Sequence, residues 1–183
     1  MIICVKIDGK FMRLNNIFKL VIAISISEVA GIIGSVFTIP EIPTWYAGLA
    51  KPALNPPAWV FGPVWTVLFA MMGVAVWLIW KRLDSRLRGN DNNKNKGNRR
   101  IKIALVVFDI QLVLNVFWSI IFFGWHSPSG AFVEIIFLWL AILATIIMFA
   151  KISRPAAWLL APYILWVSFA AYLNYSIWQL SIF

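Results

Sequence analysis

Cysteine and histidine are almost missing from this chain, with Cys4 and His126 the sole examples. One cysteine excludes an intrachain disulfide and any cysteine-rich metal site. One histidine excludes the usual structural zinc set and a bis-histidine haem within a single chain. Charge is scarce as well: 13% of the 183 residues are Asp, Glu, Lys or Arg, and seven are acidic, against about a quarter charged in soluble domains. With 62% hydrophobic residues and a mean hydropathy of +0.84, there are too few polar side chains to coat a soluble surface. No Walker loop, dinucleotide fingerprint or serine elbow occurs. No internal repeat is evident, which counts against a transporter made of two duplicated halves.

What the chain has is long apolar runs. A hydrocarbon core about 30 Å thick takes roughly 20 apolar residues in a helix, and five stretches qualify: 20–39, 63–80, 103–123, 131–150 and 156–180. The sequence predicts an all-α membrane protein, a bundle of five transmembrane helices. The first run does not read as a signal peptide, because it is too long, holds Glu28 and precedes no small-residue cleavage site. The net charge of +9 suggests nucleic acid only if it forms a patch on a folded soluble face. Instead the basic residues sit between the apolar runs, so no nucleic-acid partner is expected. With five spans, 15 of the 16 Lys and Arg residues fall on one side and Lys51 alone on the other. The positive-inside rule then places the N-terminus in the cytoplasm and the C-terminus outside. Dropping any one span would scatter the basic residues over both sides. Residues 1–16 are expected to be a flexible basic arm and 17–183 the transmembrane domain. Within it, 83–98 carries Arg86, Arg88 and several Asn residues, and its composition is that of a basic disordered loop near anionic headgroups.

Positions three and four apart share a helix face. Phe108, Gln111, Asn115, Trp118 and Phe122 form such a stripe on the third span, and Tyr163, Trp166, Ala170 and Asn174 on the fifth. Amides in a bilayer are costly unless paired, so Gln111 and Asn115 should face inward. They either glue helices together or serve a ligand. Stripes mixing amides with aromatics suit a planar, polarizable ligand with polar groups at its edge. Glu28, Asp109 and Glu134 are the acids within spans. Asp109 lies about 200° from Gln111 around the helix, and Glu134 is near an expected helix start where the dipole favours an acid. A structural role is the plainer account of each. Ser27, Gly31 and Ser35, and likewise Ala30, Gly34 and Thr38, permit close backbone approach, within one chain or across a dimer. Prolines 52, 56 and 57 stiffen the first loop, where Trp45, Tyr46 and Trp59 suit an interfacial aromatic belt.

The order of the first-loop residues, Trp45 to Pro52 and then Pro56 to Trp65, resembles the signature of the tryptophan-rich sensory protein / translocator protein family. Three further segments are similar to it: Gln111 to Ser119 with Phe122, Phe123 and Gly124; Ala131 to Glu134; and Leu159 to Tyr175. The resemblance covers roughly Ser25 to Trp178, apart from the basic loop. It implies a homodimeric five-helix bundle in the cell membrane, a bacterial inner membrane, whose first loop covers a pocket for porphyrins or other hydrophobic small molecules. By resemblance, Trp65, Asn115 and Trp166 match ligand-contacting positions. Trp45, Ala50, Pro52 and Trp59 would form the lid, and Gln111, Trp118, Tyr163 and Ala170 complete the expected site. No metal and no cofactor are expected.

The function implied is porphyrin binding for tetrapyrrole transport, disposal or stress sensing. An enzymatic alternative, oxidative or light-dependent porphyrin degradation, would give Trp65 and Trp166 catalytic roles, and a sensor or scaffold acting through partner proteins is a third. The absence of an acid/base pair or nucleotide motif weighs against an enzyme. One departure concerns sterols. The proposed cholesterol motif needs a basic residue within five positions of a tyrosine, and Tyr175 is followed by Ser176, Ile177, Trp178, Gln179 and Leu180. A cysteine tag at the C-terminus should label in intact cells or spheroplasts, and a tag in 83–98 only after permeabilisation. Loop labelling in intact spheroplasts would overturn this topology.

Overall fold

A computed structural model describes residues 6–7, 10–11, 16–88 and 94–181. The remainder of the expected N-terminal arm, and residues 89–93 of the expected loop, lie outside the described residues. Lys6–Ile7 (β1) and Lys10–Phe11 (β2) form a short antiparallel pair. Everything else of note is helical: α1 Asn16–Glu41, α2 Trp45–Gly48, a 3-10 turn Ala58–Val60, α3 Phe61–Arg88, α4 Lys94–Ser119, a π-helical turn Ile120–Gly124, α5 Pro128–Ala150, α6 Arg154–Trp158 and α7 Ala161–Leu180. Five stretches are long and apolar enough to cross a membrane: Asn16–Glu41, Ala58–Ser85, Gly97–Gly124, Pro128–Ala150 and Arg154–Leu180. The all-α five-helix membrane bundle is therefore observed.

Two boundaries differ from expectation. Residues 83–88 and 94–98 of the expected disordered loop are helical, as extensions of α3 and α4. Leu83 and Ile101 are buried in the core, and Lys and Arg propagate helix well where no proline interrupts. The fifth span is also not one continuous helix. Pro162 lacks the N–H that would bond one turn back and crowds that carbonyl, so α6 ends at Trp158. Helical bonding resumes with Ile164 N–H to the Leu160 carbonyl at 3.1 Å.

Around the bundle α3 packs on α1, α1 on α4, α4 on α5 and α5 on α7, while the short α6 wedges between α3 and α5. The small residues of α1 are used inside the monomer. Ser27, Ala30 and Gly34 are buried. A methyl at Gly31 would stand 2.5 Å from the Phe69 ring, and one at Gly34 would stand 3.0 Å from Ser119 Oγ. The tightest approach comes from α3, where a methyl at Gly73 would meet Ile24 Cα at 2.4 Å. Apolar side chains gain nothing by leaving lipid for one another, so this close contact supplies the attraction.

The basic end of the bundle is tied separately. Lys19 of α1 forms an ion pair with Asp84 of α3, and Trp77 Nε1 donates to the Asn16 carbonyl at 3.0 Å. Lys81 lies over the Trp77 ring, 4.5 Å from its centroid. The cavity described below lies toward the opposite end. Because Gly73 meets backbone rather than a movable side chain, Gly73→Ala should separate α1 from α3 at an overpacking cost of about 1–3 kcal/mol. The melting temperature in detergent should drop by several degrees. Gly48→Ala, with nothing within 4 Å, is the control and should melt like the wild type. Equal melting of Gly73→Ala and wild type would contradict this packing.

Candidate functional site

A cavity of about 360 Å3 lies between the helices in the half away from the basic end. Its walls are the C-terminal half of α1 (Gly31, Gly34, Ser35, Thr38), the start of α3 (Phe61, Trp65, Phe69), the end of α4 with the π turn (Asn115, Trp118, Ser119, Phe122, Phe123), and α7 (Trp166, Ala170, Leu173, Asn174, Ile177). Tyr46 and Ala58 of the first loop close the top. Ile32 and Ile39 of α1, and Gly62 and Thr66 of α3, border the same cavity while exposed on the outside of the bundle. Along the α1–α3 seam, then, the cavity communicates with the membrane side of the protein.

The walls are aromatic and mutually braced. Trp118 stacks on Phe122 with centroids 5.2 Å apart. The seam between α3 and α7 is bridged by edge contacts, Phe61 to Trp166 at 6.1 Å and Trp65 to Tyr163 at 6.2 Å. The π turn adds one residue to the α4 spiral, and both Phe122 and Phe123 become buried. A regular 3.6-residue period predicts only Phe122, since consecutive helical positions diverge by about 100°.

Three amides line or underlie this space, and each has a different task. Asn174 Oδ1 accepts from Trp118 Nε1 at 3.1 Å, and its Nδ2 donates to the Pro128 carbonyl at 2.7 Å, so it joins α4, α5 and α7. Asn115 Nδ2 donates to the Tyr163 hydroxyl at 3.1 Å. That hydroxyl donates to Gln111 Oε1 at 2.9 Å, and Gln111 Nε2 faces Met72 Sδ at 3.8 Å. Trp166 Nε1 is buried without a hydrogen-bond partner among the described residues, although Trp166 lines the cavity. An unmade donor bond of this kind costs about 1–3 kcal/mol.

Of the expected site residues, Trp65, Asn115, Trp118, Trp166 and Ala170 are brought together on the cavity wall. Gln111 and Tyr163, each 1% exposed, lie off the lining and support it. The four expected lid residues do not line the cavity. Trp45 packs against Phe122 at 5.4 Å and stacks on His126 at 4.4 Å. Ala50 and Trp59 are exposed and Pro52 is half-buried in the loop. The roof residue is Tyr46, whose hydroxyl donates to Asn55 Oδ1 at 2.8 Å. Burial raises the Tyr46 phenol above its ordinary pKa, with the Asn55 bond acting in the opposite direction. Lys51 Nζ caps the ring at 4.7 Å and donates to the carbonyls of Ala47 and Leu49. Phe61 and Phe69 were legible in principle, being one turn either side of Trp65. Tyr46 carried no comparable signal.

The acids separate. Glu28 borders the cavity from α1. Asp109 is exposed on the outward face of α4 beside Val106, Ile110 and Val113, as its angle from Gln111 predicts. Glu134 is not in a first turn, since Ser127 caps α5 and Pro128 opens it. Starting the helix there leaves Glu134 beyond reach of the dipole argument. It is buried, and neither carboxyl oxygen has a hydrogen-bond partner among the described residues.

A five-span helical bundle enclosing an aromatic, amide-bearing cavity defines a multi-pass helical membrane protein. Comparison with known proteins identifies which. A family model described as the TspO/MBR family matches residues 23–179, and the chain belongs to that family. It is 43% identical over 167 residues to the tryptophan-rich protein TspO of Chlorobaculum tepidum, covering 91% of this chain and 98% of the relative. It is 37% identical over 147 residues to the translocator protein of Homo sapiens, covering 80% of each. Protein CrtK of Rhodobacter capsulatus is 30% identical over 152 residues, 83% of this chain and 86% of the relative.

Proposed function

We propose that this protein binds porphyrins, of the protoporphyrin IX kind, and related planar hydrophobic molecules in the cavity under the first loop. The observation that carries the proposal is the Trp166 indole N–H, buried and unpartnered on the wall of a largely apolar, aromatic cavity. A bound acceptor would complete it, and the faces of Trp65, Trp118 and Trp166 supply stacking surface for a flat π system. The seam between α1 and α3 gives a lipophilic ligand a route from the bilayer. In this proposal the protein is a homodimer of a bacterial inner membrane with its N-terminus in the cytoplasm, as the charge distribution supports. Its task there is to move, dispose of or sense tetrapyrroles.

Recognition rests on stacking and hydrogen bonding, not on axial ligation. His126 stands outside the cavity, held by Glu41 Oε2 at 3.0 Å and stacked on Trp45. Protoporphyrin IX should quench the tryptophan fluorescence of purified protein saturably and bind at least as tightly as haem. Trp166→Ala and Asn115→Ala should each weaken it several-fold with helicity intact, the scale of about 1 kcal/mol for one stacked or hydrogen-bonded group. Unsaturable quenching, or a histidine-ligated haem spectrum abolished by His126→Ala, would refute the proposal.

A further inference from the structure

The cavity floor carries a hydrogen-bond chain whose direction is fixed at its far end. Met72, fully buried, presents a thioether sulfur, which accepts hydrogen bonds weakly and donates none. The neighbouring Gln111 amide therefore turns its Nε2 toward the sulfur, at 3.8 Å. Its Oε1 is left facing Tyr163, and the phenol has one proton to give, which goes to that oxygen at 2.9 Å. Having donated there, the Tyr163 oxygen can only accept, and it accepts from Asn115 Nδ2 at 3.1 Å. Each step leaves one orientation for the next group. Asn115 Oδ1, without a hydrogen bond among the described residues, remains for the cavity that Asn115 lines. Reversing the chain would set Gln111 Oε1 against the sulfur, two acceptors facing each other in a buried site.

We infer that Met72, Gln111 and Tyr163 act as positioning residues that hold Asn115 with its carbonyl oxygen toward the cavity, so that this wall selects ligands offering an N–H or O–H donor. The inference rests on the proposal that the cavity takes planar aromatic molecules. It adds a polarity to that site: an acceptor at Asn115, set opposite in sense to the Trp166 N–H donor. A flat ligand bearing a donor on one edge and an acceptor on another would satisfy both. Neither aromatic stacking nor cavity volume alone would distinguish donor from acceptor.

Three probes on one tricyclic frame test it: carbazole, with an N–H donor; fluorene, with CH2 in its place; and fluorenone, with a C=O acceptor. Binding to purified protein in a single detergent is read by tryptophan quenching, and the readout is the carbazole-to-fluorene affinity ratio. The wild type should favour carbazole several-fold, and Asn115→Leu should abolish the preference while still binding fluorene. In Gln111→Met the Tyr163 proton has no acceptor on that side and turns to Asn115 Oδ1. The amide then reverses, the carbazole preference disappears and fluorenone gains. Tyr163→Phe, which releases Asn115 altogether, is the second variant should Gln111→Met not fold, and it too should lose the preference. A merely structural role for Gln111 would weaken all three probes alike and would overturn the inference. Equal binding of carbazole and fluorene to wild type would also overturn it, while leaving the aromatic cavity proposal standing. Failure of all three probes to bind would end both.

Discussion

In hydrocarbon a side-chain amide finds no water, so each amide in this bundle must find its partner in the protein. That constraint organises the structure more than apolar burial does, because lipid tails are as apolar as the residues they touch. Asn174 alone connects three spans: Trp118 on one side, the Pro128 carbonyl on another, and its own helix. Gln111 and Asn115 meet the same requirement through Tyr163. The result is a set of helices pinned at specific heights, and the space between the pins is where the cavity lies.

Why the space stays open follows from the neighbouring contacts. At the basic end, α1 and α3 are drawn together by Gly73 against Ile24 and by the Lys19–Asp84 pair. Toward the other end Gly31 of α1 meets Phe69 of α3, while Gly34 of α1 faces Ser119 of α4. Meanwhile α6 fills the gap between α3 and α5 in the basic half only, since the break before Pro162 diverts the chain. The upper half of the α3–α7 seam is left to two edge-on aromatic contacts. The cavity is thus walled by ring edges and small residues.

The parts of this architecture visible in the sequence are those encoded by period and composition. Hydropathy located five spans to within a few residues, and the stripes on the third and fifth spans placed Asn115, Trp118, Trp166 and Ala170 on one wall. Three things were not legible, each for a physical reason. The π turn at Ile120–Gly124 breaks the 3.6-residue period that the stripe assumes, so Phe123 falls outside it. The resemblance implies a lid of Trp45, Ala50, Pro52 and Trp59, whereas the first-loop residues lining the cavity are Tyr46 and Ala58, because loop side-chain direction depends on long-range contacts. Tyr46 points in because Asn55 and Lys51 hold its hydroxyl and ring. The helical extensions into 83–98 reflect tertiary anchoring by Leu83 and Ile101, which a compositional bias toward Asn and Arg does not reveal.

Periodicity put Gln111, Tyr163 and Asn115 on inward faces without distinguishing a ligand contact from a structural bond. The two roles prove to be consecutive links of one chain. Tyr163 cannot both donate to Gln111 and donate to a ligand, since a phenol carries one proton. Nor can Asn115 offer the cavity its N–H already given to Tyr163. The bond to Tyr163 thus fixes which end of the Asn115 amide turns inward and leaves its carbonyl oxygen toward the cavity. Trp166, on the same helix as Tyr163, has only a donor, and no acceptor among the described residues has taken it. Asn115 and Trp166 are therefore complementary in sense, because the Asn115 amide is engaged from behind by Tyr163 and the Trp166 N–H is not engaged among the described residues. The same internal accounting that lets amides survive in a bilayer gives this apolar space its chemical direction.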